Sequence, residues 1–256
     1  MTTATLDLTP RPGAQPALRR VWRQGLLETR LMIRQGEQVL LALVIPVALL
    51  VGGTLVGGRF GLDRDPLVGS VLAMAVWSTA FTSIAIATGF DRRQGVLERL
   101  AATPLGRTGL VGGKIVAVVL MTALQWVVLL GVGLPLGWRP SAGFTTTLVM
   151  LVGVVLAAAA FTALALALAG TLRAEATLGL ANLIYLVGLV AGIVVSPAAL
   201  GSPWRTVVEL LPTGALGEVM RAWTGSAPAP WWALLVLAVW ALAGFLLARK
   251  VFRWTM

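Results

Sequence analysis

Charged residues in this chain come in clusters, and between the clusters run apolar tracts of about 20 residues or more. At about 1.5 Å rise per residue, each tract as a helix matches the roughly 30 Å hydrocarbon core of a bilayer. Only 12% of the 256 residues are charged and 58% are hydrophobic, whereas a soluble domain carries roughly 25% charged residues. Too little polar surface remains to cover a water-exposed globule. The chain reads as an all-α integral membrane protein that crosses the bilayer several times.

The tract edges place six spans near residues 38–58, 67–90, 113–137, 145–170, 178–198 and 231–249. Ahead of them, residues 1–15 are rich in Thr, Pro and Gly and predict a disordered cytoplasmic tail. Residues 16–37 predict a basic amphipathic helix. Leu18, Val21, Trp22, Leu26 and Ile33 share one broad face, ringed by Arg19, Arg20, Arg23, Arg30 and Arg34, a pattern suited to the membrane surface. No cleavable signal peptide is expected, since the first apolar run is long enough to span. Residues 199–230 are too apolar for an ordinary loop, yet contain Pro203, Arg205, Glu209, Pro212, Glu218 and Arg221. They predict two short helices dipping into the outer leaflet, where non-helical backbone has to be buried in protein.

Loop charge sets the expected orientation. Arg59, Arg64, Arg139, Arg205 and Arg221 fall on one side, and the other fifteen of the 20 Lys and Arg residues on the opposite side. The positive-inside rule then puts both termini in the cytoplasm. The net charge of +10 records this topology and does not call for nucleic acid.

Several function classes lose their chemistry. Cysteine and histidine are both absent, which removes thiol nucleophiles, imidazole bases and the usual transition-metal ligands. No Asp, Glu, Lys or Arg lies in the middle of a predicted span, as ion-coupled transport ordinarily requires. Glu37, Asp91 and Lys114 sit at span edges, where snorkelling to the interface suffices. The stretch GLVGGKI, residues 109–115, is a false phosphate-binding loop: Thr108 stands where a glycine is needed, and Ile115 replaces the magnesium-binding hydroxyl. Neither a catalytic residue nor a bound cofactor or metal is expected on this chain. A membrane enzyme would have to draw on Asp63, Asp65, Glu209 and Glu218.

Three sets of residues remain as candidates. Gly53 and Gly57 in the first span, and Gly188 and Gly192 in the fifth, are spaced four apart, which lets helix backbones approach closely. Gln125, Asn182 and Tyr185 are the best polar candidates for the wall of a substrate path, although polar groups in spans also serve as interhelical hydrogen bonds. The third set is GVLERLAATPLGR, residues 95–107, in the most basic loop between spans. Gly95 permits a turn, residues 96–102 can form about two helical turns, and Pro104 disfavours helix at Thr103. Val96, Leu97 and Leu100 give that helix an apolar side, with Glu98 and Arg99 at its polar margin. On physical grounds it is either a passive interfacial helix or a docking knob for a cytoplasmic partner.

This stretch resembles the G-T-L-E-x-L-x-x-[ST]-P signature between the second and third helices of ABC type-2 exporter permeases, the daunorubicin-resistance type included. Gly95, Leu97, Glu98, Leu100, Thr103 and Pro104 match, and Val96 stands in for the usual Thr. The amphipathic entry helix, Pro46 in the first span and the broken apolar segment before the last one extend the resemblance over most of the chain. It implies a coupling helix, Arg99 included, seated in a groove of a separate nucleotide-binding subunit that carries the ATP and Mg. It also implies a second permease copy or a related permease, contacted through spans one and five. Richness in Ala, Gly and Arg, with no Lys beyond Lys114 and Lys250, points to a bacterial plasma membrane. The expected function is a permease that exports hydrophobic or amphipathic cargo. The alternative is a non-transporting scaffold that recruits a cytosolic partner through the same loop.

Overall fold

The computed structural model describes residue 13 and residues 15–60 and 63–251. Apart from Gly13 and Gln15, the expected disordered tail lies outside the described residues. The chain is helical along almost its whole described length. In order come α1 (Ala17–Arg34), α2 (Gly36–Val56), α3 (Arg64–Trp77), a π-helical turn (Ser78–Ser83), α4 (Ile84–Arg93), α5 (Val96–Ala101) and α6 (Gly106–Gly133). There follow α7 (Phe144–Ala169), α8 (Ala174–Val190), α9 (Trp204–Leu210), α10 (Pro212–Thr224) and α11 (Trp231–Val251).

Among the described residues, four helical stretches are long and apolar enough to cross a membrane: Arg64–Arg93, Thr108–Gly133, Phe144–Ala169 and Trp231–Val251. Ala42–Val56 and Ala174–Val190 are shorter apolar helices. The protein is therefore a multi-pass membrane protein. Its centre is built from α3 and α7, and α11 is the least buried of the four, with Leu235, Val239, Leu242 and Leu246 exposed. The α7–α11 pair packs through small residues: Gly244 of α11 sits against Ala163 and the Ala160 carbonyl, and Ala157, Ala158 and Ala160 are buried. Small side chains bring backbones close enough for dispersion to replace a hydrophobic drive that lipid cannot supply.

The entry helix does more than rest on a surface. α1 packs along the first part of α6, and the crossing uses the glycines of GLVGGKI. Gly25 of α1 fits against Val116 and the Gly113 carbonyl, Gln24 lies over Gly113, and Val21 over Gly112. The false phosphate loop is thus a packing groove. Its lysine departs from expectation as well. Lys114 is 1% exposed and does not snorkel, because α1 covers it. Its Nζ lies 3.3 Å from Glu28 of α1 and 3.7 Å from Asp91 of α4. Gln24 steadies the first carboxylate by donating to its Oε1 at 3.0 Å.

The fifth apolar tract also differs from its expected extent of 178–198: α8 runs from Ala174 to Val190 and stops. The chain then turns through Gly192 at φ +105°, a conformation that L side chains rarely adopt. The freed carbonyls are met from within the protein. Thr213 donates to Ala191 O at 2.6 Å, and Arg221 donates to Gly192 O and Ile193 O, each at 2.8 Å. Glu218 balances Arg221 at 2.8 Å and accepts from Ser196 at 3.1 Å. The short helices expected over 199–230 are α9 and α10, broken at Leu211. α10 packs on α3 and α7, so its polar residues face the interior and serve the broken backbone.

Gly25→Leu should force α1 off α6, at a cost of about 1–3 kcal/mol. Thermal unfolding in detergent should show a lowered midpoint, and trypsin should cut faster at Arg19 and Arg23. Gly36→Ala, where a Cβ meets nothing within 4 Å, should leave both unchanged.

Candidate functional site

Two places combine exposed polar chemistry with a defined scaffold: the α4–α6 connection, and a cavity between α2, the π turn and α8.

The connection is a turn, a helix and a turn. After α4, Gly95 adopts φ +70° and its N–H bonds Arg92 O at 3.2 Å, which reverses the chain at once. α5 then forms over 96–101, one residue shorter than expected. It ends as its composition predicts: the Thr103 hydroxyl donates to Leu100 O at 2.6 Å, and Ala102 N to Glu98 O at 3.3 Å. Gly106, at φ +66°, begins α6. Both turns require φ values that favour glycine.

The expected residues come together here, with a division of labour that the amphipathic pattern only half predicts. Leu97 is fully buried, and Leu100 packs partly buried against the same core. These two hold α5 to α4 and α6. Glu98, Arg99, Ala102, Thr103 and Pro104 are exposed. A partner could therefore touch Glu98 and Arg99, while Leu97 is an anchor out of its reach.

The cavity measures about 310 Å³, and its wall includes Pro46, Ser78, Thr82, Ser83, Asn182 and Tyr185. The π turn sets which face of the second span looks into it. An i→i+5 turn shifts the helical register, and such bulges occur often at functional sites. Here Ser78, Thr82 and Ser83 line the cavity, while Thr79, within the same turn, points elsewhere and donates to Gln125 at 3.0 Å. Gln125 is buried in that hydrogen bond and does not join Asn182 and Tyr185.

Three cavity groups have spare hydrogen-bonding capacity. Among the described residues the Thr82 hydroxyl has no partner. Asn182 spends its amide on Leu178 O at 3.0 Å, which leaves its side-chain carbonyl without a partner among them. The Tyr185 hydroxyl likewise has none there. Behind them Trp77 stiffens the wall. It stacks on Phe81 with centroids 4.5 Å apart, meets Phe161 edge-on at 4.5 Å, and donates to Tyr185 O at 3.1 Å. The site can hold an apolar body and orient it through a few hydrogen bonds. The polar run STAFTS was the sequence signal for this wall, but the register shift that selects Ser78, Thr82 and Ser83 over Thr79 carries no signature.

Three of the four spaced glycines serve contacts inside the chain. Gly53 receives the Leu67 side chain, and Gly57 is buried at the end of α2. Gly188 lies against Trp77, and Gly192 closes against Gly214. Of the acids named for an enzyme, Glu209 pairs with Arg205 at 2.8 Å and Glu218 with Arg221 at 2.8 Å. Among the described residues, no group of three or more Asp and Glu could hold a metal ion.

Residues 61–250 match the family model described as ABC-2 family transporter protein. The chain is 30% identical over 158 residues to the probable doxorubicin resistance ABC transporter permease protein DrrC of Mycobacterium tuberculosis, in both strain CDC 1551 and strain H37Rv. The alignment covers 57% of this chain and 57% of that protein, so the match spans little more than half of the curated relative.

The absence of native cysteine makes single-cysteine labelling clean. Ser78→Cys and Asn182→Cys should react with a small thiol reagent roughly tenfold faster than Gln125→Cys, because reaction follows access. Equal rates at the three positions would refute the division between cavity and packed core.

Proposed function

On the premise that the chain belongs to the ABC-2 family of transporter proteins, we propose that it is the permease subunit of an ATP-driven exporter, with ATP hydrolysed by a separate nucleotide-binding subunit. The observation that carries the reading is α5: a six-residue helix fastened by buried Leu97, with Glu98 and Arg99 presented outward next to a basic, glycine-bounded turn. Gly95, Thr103 and Pro104 shape that presentation. In this reading six spans cross the membrane, formed by α2, α3–α4, α6, α7, α8 and α11. Both termini lie in the cytoplasm, the membrane is the bacterial plasma membrane, and α9–α10 lies at the outer side.

Cargo occupies the cavity at Ser78, Thr82, Asn182 and Tyr185. A second cavity of about 340 Å³, lined in part by Asp63, Ser70, Ser196 and Arg221, shares Met74 with the first. The two form successive stations of a path toward the outer side. Apolar walls with few polar groups suit a hydrophobic or amphipathic molecule of drug or lipid type, in keeping with the name of the mycobacterial relative, a probable doxorubicin resistance permease. Two permeases share one transporter. Gly53, Gly57, Gly188 and Gly192 shape the first and fifth spans so that their remaining exposed faces, including Leu49, Leu183 and Val187, meet the second copy or a related permease.

Co-expression with the ATP-binding subunit encoded beside this chain, followed by purification through a tag on the permease, should recover ATPase activity. Glu98→Arg and Arg99→Glu should each lower the recovered activity about tenfold or more, as expected for charged contacts at a partner interface, with unfolding midpoints unchanged. A folded wild type that brings no ATPase would sink the proposal. Robust co-purification with turnover indifferent to every candidate cargo, and to Asn182→Trp, would favour the scaffold instead.

A further inference from the structure

We propose that the three consecutive residues Asp91, Arg92 and Arg93 form a joint that carries displacement of α5 into α1, α6, α7 and α8 together, with buried Lys114 as its pin. The inference rests on the reading of α5 as the docking helix. Each of the three side chains leaves the end of α4 for a different neighbour. Asp91 reaches Lys114 of α6 at 3.7 Å, and Lys114 in turn holds Glu28 of α1 at 3.3 Å. Arg92, 8% exposed, donates to Ala169 O at 3.1 Å and Leu172 O at 3.2 Å, at the end of α7. There it satisfies carbonyls left open by the helix terminus and meets the negative end of the helix dipole. Arg93 pairs with Glu175 in the first turn of α8, where a carboxylate suits the positive end of that dipole.

The placement argues for a joint rather than a collection of surface pairs. Only Gln94 separates Arg93 from Gly95, and the Gly95 N–H bonds back to Arg92 O. With Leu97 buried, α5 cannot turn without carrying the end of α4 with it. Stability alone does not require this chemistry, since buried ion pairs are often replaced by apolar residues without loss. Charge-assisted bonds do supply direction: each constrains where one helix end sits relative to the next. Lys114 faces two carboxylates, Glu28 at 15% and Asp91 at 33% side-chain exposure. Removing its ammonium alone would therefore set like charges against each other at the α1–α4 contact.

The test uses the permease co-expressed with its ATP-binding subunit and reconstituted in lipid discs. Spin labels at Arg19→Cys on α1 and at Ala102→Cys after α5 report whether those elements move as one. In the otherwise wild-type complex, their distance should stay constant when ATP binds, while the labelling rate of Asn182→Cys in the cavity changes. The combined variant Glu28→Gln, Asp91→Asn and Lys114→Met keeps the side-chain volumes and removes the charges. It should still bind the subunit and turn over ATP, but the two labels should separate on ATP binding and the Asn182→Cys rate should no longer respond. If that variant does not fold, Arg93→Glu should weaken the ATP-driven change in labelling about twofold to fivefold, and adding Glu175→Arg should restore it. Unaltered coupling in the neutral variant, or no rescue by the Arg93–Glu175 exchange, overturns the joint and leaves the docking reading intact. A wild type that fails to bind the subunit overturns both.

Discussion

A polar group taken from water into an apolar interior costs several kcal/mol unless it finds a partner, and this chain has few polar groups with which to answer. The architecture follows from where those few are placed. At one end of the molecule α8 stops, and the carbonyls of residues 191–193 are met by Thr213 and Arg221 of α10. At the other end α7 stops, and its carbonyls are met by Arg92 of α4. Both solutions draw the donor from an element distant in sequence. Satisfying a helix end therefore also fixes the neighbour that supplies the donor, and tertiary structure comes out of backbone bookkeeping.

The same constraint separates what the sequence discloses from what it conceals. α5 was legible because its signals are local: a glycine turn, an i, i+3 apolar spacing, a Thr-Pro stop. α1 and the break in α9–α10 were legible for the same reason. Lys114 was misjudged as a snorkelling residue because its burial depends on α1, nearly a hundred residues earlier, folding over it. Helix α8 was drawn too long because hydropathy continues through Ile193 and Val194, while the reason the helix stops there is Gly214 and Arg221 waiting on α10. Gln125 and Asn182 look equivalent as isolated amides in apolar tracts. Only the π turn distinguishes them, by giving Thr79 to Gln125 and leaving Asn182 at the cavity.

GLVGGKI carries a broader lesson about motifs. Glycines beside a lysine at the start of a helix suggest phosphate chemistry, and here they serve close packing and a buried ion pair. In a membrane protein the small residue is first a means of bringing backbones together. Gly25 and Gly113 do that across α1 and α6, and Gly188 does it beneath Trp77. Among the spaced glycines, Gly53 receives Leu67 and Gly192 closes against Gly214, so close approach within one chain already uses them.

The cavity and the α4–α6 connection meet on a single element. The helical stretch 64–93 carries Asp91, Arg92 and Arg93 at one end and the π turn nearer its middle. Asp91 lies eight positions after Ser83, about 12 Å along a helix, and α4 is unbroken between them. A shift imposed on the end of α4 therefore reaches the π turn nearly undiminished. There the register is already offset, so a return to α-helical geometry would rotate Ser78 and Thr82 relative to Asn182 while Trp77 stays held by Phe81, Phe161 and the Tyr185 carbonyl. The π turn thus lies between the aromatic wall around Trp77 and the charged end of α4, on one continuous helical stretch.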